Sequence, residues 1–362
     1  MAVLGASGSE ALGQTGPPAG GTVVVILMTG FNPGANPGLQ ILQGKIQAAF
    51  ASGGNPQLNS QVFAYTDLAG ATNLIASVPS IGKIVLIGHS WGAAATFDLA
   101  ANHIGPLGLT ADLAIAIDWV SPASPFSPTT PPVPTEIATA LNFHQVSTAF
   151  LEPVPSSQII GAKRNLNMEV LYNDTSLTHT SIDNDLRVHE RIIDRILELV
   201  NGTVYPGTDE DLDTLCRVDA LVNPCQPGAG IAVAGILSDT PVLSVSAGDW
   251  ISLRAISPEG VFTAGATGIV GEIYPTISPP TPLVPGIASS LTLNSMFAIS
   301  PAGGFQLFPF AFSPMPGNGF DTALCWPAGA QGFSVILQTI VVDPAANNGL
   351  FASSRGIELR GI

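Results

Sequence analysis

Hydrophobic and polar positions obey two different rules along this chain. Between residues 22 and 200, short and nearly continuous apolar runs alternate with stretches of helical spacing. The runs are Thr22–Met28, Gln61–Tyr65, Lys83–Gly88, Leu113–Asp118 and Asn167–Tyr172. Val, Ile and Leu on successive positions suit strands covered on both faces, the habit of parallel sheets. Helical spacing fills Leu39–Ala51, Gly70–Ser77, Gly92–Asn102, Glu136–Phe150 and Asp185–Val200. The last of these, DLRVHERIIDRILELV, keeps its apolar residues on one face and its charges on the other. The alternation predicts an α/β fold whose mostly parallel sheet is layered with helices.

From Gly207 the pattern changes. An acidic connector, GTDEDLDTL, leads into strand-length runs with almost no helical spacing: Gly230–Leu237, Trp250–Ile256, Gly268–Tyr274, Ser289–Ala298, Phe305–Phe312 and Gly332–Val342. Gly, Pro, Asn and Ser separate them, which predicts an all-β, sandwich-like region. The expected organisation is a flexible leader at 1–21, an α/β domain at 22–204 and a β domain at 205–362.

Composition narrows the possibilities. Apolar residues make up 46% and charged residues only 10%, with 11 basic against 26 acidic side chains and a net charge of −15. Such a surface repels phosphate backbones, so nucleic acid is excluded as a partner. Mean hydropathy is +0.40, yet no run approaches the ~20 apolar residues of a spanning helix. No basic segment followed by an apolar one opens the chain, and Ala2–Gly21 reads as a leader left after removal of an export signal. Low charge with abundant Ser, Thr, Gly and Pro fits an exported protein. Of the three cysteines, Cys216 and Cys225 are spaced to bridge one loop, leaving Cys325 over.

The segment KIVLIGHSWGAAATFDLA holds Gly88-His89-Ser90-Trp91-Gly92, a G-x-S-x-G match. Among 39 glycines the pentapeptide alone says little, but a buried strand leads into it and an Ala-rich helix leads out. That context forces a serine onto a sharp turn with Oγ presented, and the glycines let helix and strand approach. On this motif, residues 22–200 resemble the α/β-hydrolase superfamily, in its lipase and esterase branch with polyester hydrolases among its members. The resemblance implies a Ser90 nucleophile, a histidine base and an acidic partner.

Five histidines are present. His89 is inside the turn, too close along the chain to reach over Ser90. His103 falls at the far end of the following helix. His144 falls in the stretch read as helix 136–150, and His189 on the final amphipathic helix. His179 remains, in the loop after the last predicted strand, where the resemblance implies the base. Two carboxylates terminate hydrophobic runs after Ser90, Asp118 and Asp174. Asp174 would have to share one short loop with His179, whereas Asp118 ends the strand after the nucleophile unit, as the acid does in pancreatic-type lipases. Asp118 is preferred and Asp174 is the alternative.

A tetrahedral intermediate needs two backbone N–H donors. The residue after the nucleophile, Trp91, supplies one, and the resemblance implies Phe31 for the other, although an HGGG motif is absent. Phe31, Trp91, Trp119 and Phe126 would line an apolar or aromatic acyl cleft, rimmed by the proline-rich stretch Ser121–Pro134. Neither an organic cofactor nor a catalytic metal is called for. Asp209–Asp213 spaces carboxylates as calcium loops do but lacks their glycine and distal glutamate, and reads as a solvated linker. The β region resembles, in style only, sandwich modules appended to secreted bacterial proteins. These readings point to a serine carboxylic ester hydrolase acting on apolar or aromatic, including polymeric, esters. The alternatives are an acyltransferase, thioesterase or amidase using the same triad, or a binding protein of little turnover on a hydrolase scaffold.

Overall fold

Six parallel strands form the first layer of the structure, a computed structural model that describes residues 21–31, 37–51, 55–146, 152–201, 213–219, 242–257, 259–262, 265–275, 313–314, 319–344, 352–354 and 357–362. They are β1 (Thr22–Thr29), β2 (Leu58–Ala64), β3 (Ile81–His89), β4 (Leu113–Ile117), β5 (Ala140–His144) and β6 (Arg164–Asn167). Their order is β2-β1-β3-β4-β5-β6, every pairing is parallel, and the fold of this half is α/β. The helices are α1 (Gly38–Ala51), α2 (Leu68–Ser77), α3 (Trp91–Leu99), the short α4 (Met168–Tyr172) and α5 (Leu186–Asn201). Alternate residues of β1 feed opposite cores: Val23, Val25 and Leu27 join α1 and α5 on one face, while Val24, Ile26 and Met28 join α2 and α3 on the other. Burial on both faces is the reason the runs read as continuous rather than alternating.

Two expectations for this half need correction. Over its described residues, 136–146, the stretch Glu136–Phe150 is not helical; it contains β5, all five of whose residues are buried. A slot between β4 and β6 overrides the helical preference of an Ala- and Leu-containing segment. The run Asn167–Tyr172 is not a strand either. The sheet ends at Asn167, whose side chain accepts the N–H groups of Glu169 and Val170 and so caps the short α4, which Asn173 closes in the left-handed region. A short apolar run cannot declare strand or helix by itself, and here the cap decides.

The second region is built from β7 (Asp213–Asp219), β8 (Val242–Val245), β9 (Trp250–Ile256), β10 (Ala266–Pro275), β11 (Ser313–Pro314), β12 (Phe320–Cys325), β13 (Phe333–Val342), β14 (Ala352–Ser353) and β15 (Ile357–Gly361). One sheet runs β11-β10-β13-β15-β8, with β14 on β13, and another runs β12-β9-β7. Pairings are antiparallel except for β15 with β8. Residues of both sheets, Ile251 and Leu253 with Leu337 and Leu359, share one apolar core. The two regions also share contacts: Leu215 of β7 and Ile256 of β9 belong to the core that α1 and α5 form with the parallel sheet. Glu259 accepts the backbone N–H of Asn165 on β6. The leader, most of Asp209–Asp213 and the runs 230–237, 289–298 and 305–312 lie outside the described residues. The cysteines depart from expectation in one respect: Cys325, read as left over, is in a disulfide, and Cys216 is buried. Cys225 lies outside the described residues.

Candidate active site

The carboxyl ends of parallel strands gather on one edge of a sheet, and three chemistry-bearing side chains meet there. Ser90 follows β3 directly and holds φ 58 and ψ −125 ahead of α3. Its N–H donates to the carbonyl of Ile117 at 2.9 Å, tying the turn to the end of β4. The turn exists because its glycines remove obstacles. A Cβ on Gly92 would sit 1.9 Å from the Met28 carbonyl oxygen, and one on Gly30 would sit 2.8 Å from Ser90 Cβ and 3.3 Å from Oγ. Side chains at either position would push α3 or the β1 loop away from the serine.

His179 lies in the loop between α4 and α5 and is buried. The Ser90 hydroxyl donates to its Nε2 at 2.9 Å, and its Nδ1–H donates to Asp118 Oδ2 at 3.2 Å. Asp118 follows β4, is 0% exposed and holds φ 47. A buried carboxylate needs more than one donor, and Gln145 supplies two: its backbone N–H reaches Oδ1 at 2.9 Å and its side-chain amide reaches Oδ2 at 3.1 Å. Gln145 carries no motif; it comes from the end of β5, the strand that the sequence reading misses.

The alternative acid is engaged elsewhere. Asp174 accepts from Ser176 and pairs with Arg187 at 2.6 Å, while Arg187 also binds Asp185 and lies over the Tyr172 ring. Burial alone would raise the Asp174 pKa, but the hydrogen bonds from Ser176 and Arg187 outweigh it and hold the carboxyl below its ordinary value.

The remaining histidines are accounted for. His103 lies in the π-helical turn Ala100–Ile104 beyond α3. His144 ends β5, and burial lowers its pKa against the opposing pull of Asp118 and Glu169. His189, buried on α5, donates Nε2–H to the Asp183 carbonyl at 2.6 Å, and burial lowers its pKa too. His89 is buried beside His179, with ring centroids 4.9 Å apart.

Of the expected aromatic residues, Phe31 is 70% exposed and its ring meets Trp91 at 5.0 Å. Tyr65, which sequence reasoning overlooked, also meets Trp91, edge-on at 5.3 Å. Phe126 is 64% exposed, whereas Trp119 is buried in the core beneath α2 and α3. The stretch Ser121–Pro134 has only turns and one isolated bridge, Pro132 to Ile160. Among the described residues, no group of three or more His, Cys, Asp or Glu could hold a metal ion, and no helix is long and apolar enough to cross a membrane.

The sequence matches no protein-family profile and no curated protein. The solved structure of Est1E from Butyrivibrio proteoclasticus aligns over 50% of this chain and 89% of its own, at 12% identity and a TM-score of 0.32. A likeness that slight carries no argument about chemistry, which therefore rests on the residues themselves.

Proposed function

We propose that the protein is a serine carboxylic ester hydrolase of the α/β-hydrolase type, in which Ser90, His179 and Asp118 act as nucleophile, base and orienting acid. The observation that carries this reading is the continuous chain from Ser90 Oγ through His179 Nε2 and Nδ1 to Asp118 Oδ2, at 2.9 and 3.2 Å. In the reaction, Oγ bonds to the ester carbonyl carbon while its proton passes to His179 Nε2. Asp118 stabilises the imidazolium without taking the proton. Collapse of the tetrahedral adduct breaks the acyl–alkoxy bond, and Nε2 returns the proton to the departing alcohol. Water then repeats the sequence on the acyl-enzyme and releases the acid and Ser90.

The backbone N–H groups of Trp91 and Phe31 are the proposed donors to the oxyanion. Trp91 opens α3, where first-turn N–H groups have no acceptor within the helix, and Phe31 follows the Gly30 that packs on Ser90. The exposed Phe31 ring over Trp91 suits apolar and aromatic acyl groups, including those of a polymer surface. The second region is proposed as a sandwich-like accessory domain without catalytic residues. The disulfide at Cys325 supports an exported protein.

A panel of p-nitrophenyl esters of increasing chain length, with a thioester and an amide, tests the reading. Esters should turn over fastest, a fluorophosphonate should label Ser90, and Ser90→Ala should abolish both while leaving the melting temperature unchanged. Labelling of a different serine overturns it.

A further inference from the structure

His89 has no part in the steps above, yet it is the most heavily committed side chain next to them. It ends β3, one residue before the nucleophile. Its Nε2 lies 2.8 Å from the backbone carbonyl oxygen of His179, ninety residues along the chain. A carbonyl oxygen only accepts, so the proton of this bond is on Nε2 of His89. The other ring nitrogen, Nδ1, lies 3.5 Å from Asp183 Oδ2. Asp183 is fixed in turn: its carbonyl accepts from His189 of α5, and its backbone and carboxylate close on Gly38, the first residue of α1, where a Cβ would fall 2.2 Å from the carbonyl oxygen and 2.7 Å from Oδ2. The amino end of a fourteen-residue helix suits a carboxylate.

A buried imidazole is costly to place beside a second imidazole unless its N–H finds an acceptor. Here burial lowers the pKa of His89, and Asp183 only partly opposes the shift. The Nε2–H of His89 goes to the backbone of the base. The loop carrying His179 is otherwise short of regular structure, running from α4 to a single 3-10 turn at Ile182–Asn184. His89 anchors it to the nucleophile strand, beside the Ser90 contact.

We propose that His89 is a positioning residue: its Nε2–H bond to the His179 carbonyl holds the base loop against the nucleophile turn and so fixes the distance between Nε2 of His179 and Oγ of Ser90. The pairing makes the middle residue of Gly88-His89-Ser90 part of the site's scaffold rather than a spectator, and it joins the two ends of the active site through the α1–α5 face of the molecule. The proposal rests on the hydrolase reading.

Two amides separate the two contacts of the ring. A Gln side chain places its N–H₂ where Nε2 stands, keeping the donor to the His179 carbonyl. An Asn side chain places it where Nδ1 stands, facing Asp183 and leaving that carbonyl without a donor. The test measures kcat and KM for a p-nitrophenyl ester, and the rate of fluorophosphonate labelling, for full-length wild type, His89→Gln, His89→Asn and His89→Leu. His89→Gln should keep most of kcat, while His89→Asn and His89→Leu should each lose about tenfold or more in kcat and in labelling rate, with KM little changed, as expected for loss of one buried hydrogen bond that acts on geometry. If His89→Leu fails to fold, the contrast between Gln and Asn decides alone. Equal rates for Gln and Asn, or a reversed ranking, overturn the proposal. A wild type labelled at Ser90 and an equally reactive His89→Asn reject the positioning role and leave the hydrolase reading intact. A wild type not labelled at Ser90 rejects the hydrolase reading, and the positioning role with it.

Discussion

The two regions of the molecule bury polar side chains to different ends. In the parallel half, one set of buried polar residues sits at or just past strand termini: His89 and Ser90 at the end of β3, Asp118 after β4, His144 and Gln145 at the end of β5. In the β region, the buried Arg254, Gln338 and Glu358 lie within strands. Arg254 of β9 pairs with Asp321 of the neighbouring β12 at 3.1 Å, Glu358 with Arg360 along β15, and Gln338 of β13 donates to the Ser354 carbonyl. The difference follows from topology. Parallel strands bring all their carboxyl ends to one edge, where side chains of distant sequence converge without disturbing the ladder. Antiparallel strands distribute their ends over both edges, and polar groups in mid-strand find partners across the sheet and stay there. One arrangement gathers polar side chains at a single edge and the other commits them to partners within the sheet.

The largest effect should come from breaking that convergence. Asp118→Asn should lower kcat about 10⁴-fold, by analogy with other triads in which the acid sets the tautomer of the base. Asp174→Asn, which touches Arg187 and Ser176 instead, should leave kcat close to wild type. Steady-state kinetics on one ester decides, and the opposite ranking would move the acid to the α4–α5 loop.

The contrast between halves is sharpened by asking whether they melt together. Leu215→Ala in β7 removes a side chain from the core under α1 and α5, although it belongs to the β region by sequence. It should destabilise the parallel half by about 2–5 kcal/mol, seen in calorimetry as a lower transition for that half. If only a separate β transition moves, the halves are independent and truncation near residue 202 should leave an active domain.

Smaller still is Gln145→Leu. The substitution deletes one of three hydrogen bonds to Asp118 and keeps the backbone donor, so kcat should fall about tenfold or less. KM for small esters should not change.

The smallest effect concerns pH. Burial lowers the pKa values of His89, His144 and His189, all three in the parallel half. Their unfolded pKa near ~6.5 lies above the folded values, so the unfolded chain binds more protons between the two. The stability these groups contribute is therefore present above about pH 6.5 and is lost as pH falls towards the folded values. Thermal melts from pH 8 downward should show the parallel half weakening first. Asp174 has a lowered pKa, so its contribution persists until pH drops below the ordinary carboxylate range.

Much of this comparison is legible in the residue order. GHSWG between a buried strand and an Ala-rich helix specifies the turn at Ser90, because glycines on both sides have no other use there. His179 is reached by elimination among five histidines together with the hydrolase resemblance, which also prefers Asp118 while leaving Asp174 as the alternative. Strand β5 is hidden because ALNFH is too short to show period 2 or period 3.6, and its identity is settled by the slot between β4 and β6. Gln145 and Tyr65 are hidden for the same reason: each matters through what a neighbouring strand places beside it. The pairing of His89 with the His179 backbone spans ninety residues and leaves no local trace.

Ser90 and Asp118 hold φ values of 58 and 47, a region that costs a residue with a side chain about 1–3 kcal/mol. Two of the three proposed catalytic positions thus stand where glycine would be the more comfortable residue. A lineage selected for heat resistance alone would gain by replacing them and would lose the site while keeping the fold. Directed evolution for thermostability on this scaffold should therefore enrich inactive proteins unless turnover is screened at every round.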